Sequence, residues 1–402
     1  MRLGHGIRWR IVWILFLSTA INYINRQTFS LLAPVISTEL HFSHEDLSRI
    51  FSSFQLAYAW TWLLGGVFLD LVGARIGLSL AVIWWSIASA LTGLANSVAS
   101  FSFFRFLLGI GEGFNWPGAN KVVAEWFEAR ERGLAVAIFD SGSSVGAAVA
   151  ALTIPLLALS LGWRAAFAVS GMLGVVWLAL WWTNYRPREQ PQVVSKQPFA
   201  VALRALWKDR NAWGILFGRS LTDPMWWFYV FWLPQYLSDA RGFSLKQIAA
   251  FAWIPFVAAD LGNFSGGWAS GWLIRRGMPV TRARKLVCVV TCVPMLAGIP
   301  AVLVSSHIAA IALICIALWG YAAWSTMGLT FPSDLFDQKV VATVTGISGF
   351  GAGMAGTAVT LIVGRIVDHF SYLPAFAFIT SLPLFATLSV LALIREKRPV
   401  PA

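Results

Sequence analysis

The sequence predicts an all-α membrane protein, with twelve transmembrane helices in two pseudo-symmetric halves of six. Composition is the first reason. Of 402 residues, 58% are hydrophobic and only 12% charged, with 22 Trp and 29 Phe, a balance foreign to a water-soluble domain. Length is the second. About 20 apolar residues cross the hydrocarbon core, and the chain offers about twelve stretches of that size. The third is the longest polar stretch, roughly Tyr185 to Arg210, which divides the apolar spans evenly. Stretches this long, without period-2 alternation, exclude a closed β-barrel.

Taken in order, the first span covers 9–35. Its start is marked by Arg2, Arg8 and Arg10 and it lacks a small-residue cleavage site, so it reads as a membrane helix and not a cleaved signal. Asn22-Tyr23-Ile24-Asn25-Arg26-Gln27 lies about halfway along it. The second span, 48–69, contains Tyr58 and ends in Gly65-Gly66 and Asp70. The third covers 76–96, and the fourth, 100–121, carries Arg105 and Glu112. Charges near the bilayer centre are costly, so they face a polar cavity or a partner and mark a pathway. Here they point to a carrier for a small anion. Span five, 133–159, places Ser143 and Ser144 after Asp140, and span six covers 163–184.

The stretch 185–210 contains Pro187, Pro191 and Pro198 and reads as a partly extended cytoplasmic linker. It separates an N-terminal bundle, 1–184, from a C-terminal one, 211–402. Span seven, 211–238, pairs Arg219 with Asp223 at four residues, a spacing that suits a local ion pair. Asp223 precedes Pro224, where a helix break that frees backbone carbonyls is expected. Span eight, 246–272, puts Asp260 on a stripe with Gly267 and Gly271. Spans nine and ten, 285–305 and 307–331, hold Cys288, Cys292 and Cys315, which read as buried inert thiols. Spans eleven and twelve cover 343–367 and 373–394. Glycines at four-residue spacing, Gly109/Gly113, Gly142/Gly146, Gly262/Gly266 and Gly349/Gly353, predict close helix approach.

The net charge of +12 is topology and not a nucleic-acid patch. Of the 30 Lys and Arg, about 22 fall on the side that carries both termini, the bias that predicts cytoplasmic termini in an inner membrane. His41, His44, His307 and His369 fall in loops on the opposite side and read as solvated residues, not metal ligands. No phosphate loop, Gly-x-Ser-x-Gly or His-Glu-x-x-His is present, so no enzyme, cofactor or ATP-driven pump is expected. The halves echo each other: Gly65-Gly66 to Arg75 recurs at an offset of 201 residues as Gly266-Gly267 to Arg276, with Gly271 in place of Asp70.

Gly66-x-x-x-Asp70-x-x-Gly73-x-Arg75 resembles the loop signature of the major facilitator superfamily. Arg105-x-x-x-Gly109-x-x-Glu112-Gly113-x-x-x-Pro117, followed by Glu125-Trp126-Phe127-x-x-x-Glu131-Arg132, is similar to its anion:cation symporter branch. Thr222-Asp223-Pro224-x-Trp226 and Phe251-Ala252-Trp253-Ile254-Pro255 with Ala259-Asp260-Leu261-Gly262 resemble the hexuronate transporters. The resemblance runs along nearly the whole chain. It implies a monomeric, proton-coupled importer of a small anionic sugar acid, with no cofactor, metal or nucleic acid. Uptake of another carboxylate, an exporter of the same fold, or a transporter-like receptor are the alternatives.

The residues divide by role. Arg26 offers a planar fork that matches a carboxylate, against the alternative of a structural cation. The resemblance implies the same role for it, with Tyr23 and Tyr58 beside it for sugar hydroxyls. Ser143 and Trp324 are further binding candidates, with Trp226 and Trp227 as other stacking surfaces. Glu112 is the lead proton carrier, since a mobile Arg beside it decides whether the charged form is stabilised. Arg105, seven residues earlier and roughly 10 Å away by helix rise, is too distant for a tight direct pair; it reads as a gating or structural residue able to exchange partners with Arg26 or a bound anion. Asp140, Asp223 and Asp260 are further intramembrane carboxylates. Gly66 is expected to allow close approach, with Gly73 in the same loop signature; Asp70 and Arg75 are expected to latch the loop to neighbouring helix ends. Many relatives have a titrating Asp before the first-helix Arg; Asn25 cannot titrate, which favours one proton per monoanion. Several relatives use amides in spans five and eleven, whereas Gly346 to Gly353 contains none.

Overall fold

The computed structural model describes residues 3–127, 129–187, 206–336 and 338–396. The twelve expected spans all appear as helices, nine spans being single and three interrupted. We number the helices α1 (Leu3–Leu40), α2 (His44–Val72), α3 (Ala74–Thr92), α4 (Val98–Glu112), α5 (Asn115–Trp126), α6 (Ala129–Leu161) and α7 (Trp163–Asn184). There follow α8 (Arg210–Asp239), α9 (Leu245–Phe251), α10 (Ile254–Arg275), α11 (Val280–Met295), α12 (Gly298–Leu303), α13 (His307–Leu335), α14 (Gln338–His369) and α15 (Tyr372–Leu393). The linker expected at 185–210 lies largely outside the described residues.

Three prolines explain the interruptions. Pro117, Pro255 and Pro300 fall in the first turn of α5, α10 and α12, where a missing N–H removes no helical bond. The residues four positions before them, whose carbonyls lose the usual helical donor, are Gly113, Phe251 and Leu296, at the three breaks; the Leu296 carbonyl accepts instead from Ile299 N–H at 3.0 Å. Pro224 behaves otherwise and corrects the expectation. Helix α8 runs unbroken from Arg210 to Asp239, and the Arg219–Asp223 pair ties together the turn before the proline.

The helices form two compact units. The first gathers α1–α7 with Tyr229–Trp253 and Thr360–His369. In it α1 packs on α6 and α7, α2 on α4, and α3 on α4 and α7. The second takes the described residues of Gln192–Phe228, Ile254–Val359 and Phe370–Ala402, with α13 against α10, α11 and α12. Glycine permits the closest crossings. A Cβ at Gly142 or Gly146 would meet the α1 backbone at Phe16 and Ala20, and one at Gly262 or Gly266 would meet Trp319 and Ala323 of α13.

The core is largely apolar, but large apolar side chains also cover the surface and several charged ones lie inside. Val175, Val176, Trp268 and Leu388 are exposed, while Asn25, Arg26, Arg105 and Glu112 are buried. Such a surface matches lipid, where each helix satisfies its own backbone. Nine candidate spans among the described residues are long and apolar enough to cross a membrane. Cys288 and Cys292 are buried and Cys315 half-buried, all unpaired as expected.

Candidate functional site

The site of the first unit is built around Arg26. Its Nε lies 3.0 Å from Glu112 Oε2, with the two side chains 1% and 0% exposed. Its Nη2 donates to Asn22 Oδ1 at 3.0 Å, one helical turn earlier. Asn22 Nδ2 in turn reaches the Glu112 carbonyl at 3.4 Å. Glu112 ends α4 where Pro117 interrupts the span, so the break sets its carboxyl beside α1. The other oxygen, Oε1, is buried without a hydrogen-bond partner among the described residues.

Aromatic rings wall the guanidinium. Its carbon lies 4.5 Å from the Tyr23 ring centre, 4.6 Å from Tyr58, 5.1 Å from Phe54 and 6.0 Å from Trp116. Tyr58 also accepts a hydrogen bond from it. Rings in this position attract a cation through their faces while excluding water. Phe54 and Trp116 were not singled out in the sequence, although Trp116 stands four residues after Glu112, inside the symporter signature.

Arg105, too far along α4 for a tight pair with Glu112, joins this centre through Arg26. Its Nη1 donates to the Arg26 backbone carbonyl at 3.3 Å, and its guanidinium stacks over Phe54 at 4.6 Å. Glu112 therefore pairs with Arg26 of another helix and not with its neighbour along α4. Asn25 does not share the pair: its Oδ1 accepts from Ser89 at 3.0 Å. Asp140 enters through Trp116, whose Nε1 donates to Oδ1 at 2.8 Å. Ser143 turns back on its own helix, donating to the Asp140 carbonyl at 2.7 Å.

The second unit holds a separate polar centre. Arg219 Nη2 bonds Asp223 Oδ2 at 2.9 Å and Nη1 bonds Ser348 Oγ at 3.1 Å. Trp226 stacks on Tyr321 at 5.8 Å. Trp227 is buried. Trp324 is fully buried and donates to Thr387 at 3.0 Å, so it sits in helix packing. Asp260 is half-buried on α10.

In the loop signature, Gly73 adopts φ 80°, a left-handed conformation suited to glycine, between α2 and α3. Arg75 Nη2 donates to the Trp182 carbonyl at 3.1 Å and lies 4.5 Å over its ring, which fastens the loop to the end of α7. Gly66 corrects its assigned role, since a Cβ there would meet nothing within 4 Å; its neighbour Gly65 makes the close approach, to Phe114 at 3.2 Å. The Asp70 side chain lies outside the described residues. The signature acids are anchored as well: Glu131 takes Arg8 at 2.8 and 2.9 Å, and Glu125 takes the Tyr185 hydroxyl at 2.7 Å.

A buried ion pair, lined by rings, thus lies within a bundle of apolar-faced spans. The chain belongs to the Major Facilitator Superfamily, whose family model matches residues 15–360. It is similar to the "Hexuronate transporter" of Escherichia coli (strain K12), 30% identical, covering 99% of this chain and 96% of that one. A "D-galactonate transporter" of Escherichia coli O6:H1 is 25% identical, covering 98% of this chain and 97% of its own. Among solved structures, a D-xylose-proton symporter aligns at TM-score 0.77 and 15% identity, covering 96% of this chain and 98% of that one. That likeness shows the fold, twelve helices in two halves.

Proposed function

We propose that this protein is a proton-coupled importer of a sugar acid, most simply a hexuronate, working by alternating access. The observation that carries the reading is the buried Arg26–Glu112 pair. Glu112 accepts a proton, its hold on Arg26 weakens, and the guanidinium turns its fork to the substrate carboxylate. One carboxylate replaces another beside the same cation, so the net charge of the centre is unchanged. Occlusion then adds no uncompensated charge to the low-dielectric interior. Asn25, being neutral, leaves one proton per monoanion as the simplest stoichiometry. After the switch between states, substrate and proton leave on the other side.

Relatives named for hexuronate and galactonate support the substrate class, and the second name keeps aldonates as the next candidates. On this reading 1–184 and 211–402 rock against each other, both termini are cytoplasmic, and the protein works as a monomer in the inner membrane. The test is uptake of labelled glucuronate and galacturonate into proteoliposomes, with and without an inward proton gradient. Gradient-driven accumulation is expected. Transport that ignores the gradient overturns proton coupling, and transport of neither compound overturns the hexuronate assignment.

A further inference from the structure

The first unit holds a second charged cluster, where α2 begins. His44, the first residue of α2, presents Nδ1 to Asp368 Oδ1 at 2.6 Å and Nε2 to Asp239 Oδ2 at 2.8 Å. Asp368 stands near the end of α14 and Asp239 at the end of α8. Asp368 also accepts the backbone N–H groups of His44 and Glu45, at 3.0 and 2.7 Å, and so caps α2 from another helix. The imidazole stacks on Trp232 of α8, ring centres 6.3 Å apart. One residue thus fastens three helices that are distant in sequence.

The geometry specifies a protonation state. A neutral imidazole has one N–H, whereas both His44 nitrogens face carboxylate oxygens. Only the imidazolium donates to both; the neutral ring sets a lone pair against an anion on one side. The other charges facing the cluster are Glu45, Asp46 and Arg49 on α2 and Arg365 on α14. Glu45 takes Arg49 at 2.9 Å and Arg365 at 3.6 Å, and Arg49 lies 3.6 Å from Asp46. From α8, Gln235 donates to both Asp239 oxygens, at 3.0 and 2.9 Å. Arginine stays charged throughout, and of these groups histidine is the one whose ordinary titration falls between about pH 5 and 8.

We propose that His44 is a proton-operated latch, which when protonated holds the start of α2 to the ends of α8 and α14 and when neutral releases them. Burial works against the cation, but the bonds to Asp239 and Asp368 outweigh it and raise the His44 pKa above its ordinary value. The sign follows from the raised value. The latched contact is fully present below the pKa of the released ring and is lost as pH rises through the latched value. Acid at this face therefore holds it closed. The consequence for transport rests on the alternating-access reading, whereas the latch itself is measurable without substrate.

The test is a distance measurement by double electron–electron resonance on the full chain in lipid nanodiscs. Spin labels go at Ser53→Cys on α2 and Ala240→Cys beyond α8, on a background with Cys288, Cys292 and Cys315 replaced by alanine. The short-distance population is expected to rise at least about fivefold relative to the long one from about pH 8 to about pH 5. His44→Gln is expected to give the long distance at every pH, and His44→Arg, a permanent cation, the short one. His44→Arg keeps the charge at the helix start, so it reports even if His44→Gln assembles poorly. A distance distribution that ignores pH in the native chain overturns the proposal, as does an unchanged titration in His44→Gln. A failed uptake assay for hexuronates leaves this measurement untouched, so the two proposals fail separately.

Discussion

Arg26 and Glu112 lie 86 residues apart and meet at 3.0 Å inside the first unit. Each supplies the other's charge partner in a region closed to water. A buried charge left alone there is strongly unfavourable, so neither side of the pair changes independently. On the proposed reading, a proton that loads Glu112 alters Arg26 as well, which is what coupling would require.

Glu112→Gln keeps the shape and removes the titration. Substrate exchange between the two faces is expected to persist, while accumulation driven by a proton gradient is lost. Counterflow and gradient-driven uptake, measured on the same proteoliposomes, separate these. Intact accumulation moves the proton carrier to Asp140, Asp223 or Asp260.

Arg26→Ala is expected to abolish sugar-acid binding, and Arg26→Lys to weaken it by about tenfold or more. Lysine keeps the charge but loses the planar fork and its fit among the rings. Equilibrium binding of labelled glucuronate reads both variants. Near-native affinity in Arg26→Ala would remove the carboxylate clamp from the scheme.

Arg219 and Asp223 form a buried pair of their own, at 2.9 Å. Asp223→Ala strands a buried guanidinium and is expected to cost about 3–5 kcal/mol of stability. The double change Arg219→Met with Asp223→Leu is expected to lose much less, since no charge is left unpaired. Thermal unfolding in detergent, followed by tryptophan fluorescence, checks the order of the two variants. If the double variant binds substrate normally, the pair is structural.

At Gly146 a Cβ would run into the α1 backbone at Ala20. Gly146→Val is expected to force α1 and α6 apart and cost about 1–3 kcal/mol. Gly66→Ala, with open space around it, is expected to leave stability unchanged. The same unfolding measurement compares them.

The spans were legible because the bilayer imposes a length and a polarity on every segment that crosses it. The candidates Arg26, Glu112 and Tyr58 were legible because charged and polar groups stand out against apolar surroundings. Phe54 and Trp116 were not, since a ring beside a guanidinium looks in sequence like any of the many rings in the chain. Pro224 and Gly66 show the limits of local rules: a proline interrupts a helix or bends within it according to what holds the flanking turns. A glycine matters only where another backbone arrives. His44 read as a solvated loop residue because its two carboxylate partners lie 195 and 324 positions away.

The sequence by itself determined that this chain is a bundle of membrane-spanning helices with charges in its interior. That information is local: hydropathy, spacing and the cost of a charge in lipid act within a single span. Tertiary structure decided which charges are partners. It gave Glu112 to Arg26, Asp140 to Trp116, and His44 to Asp239 and Asp368. Ion pairs depend on a few ångströms between side chains of different helices, and such distances exist only once the helices have packed.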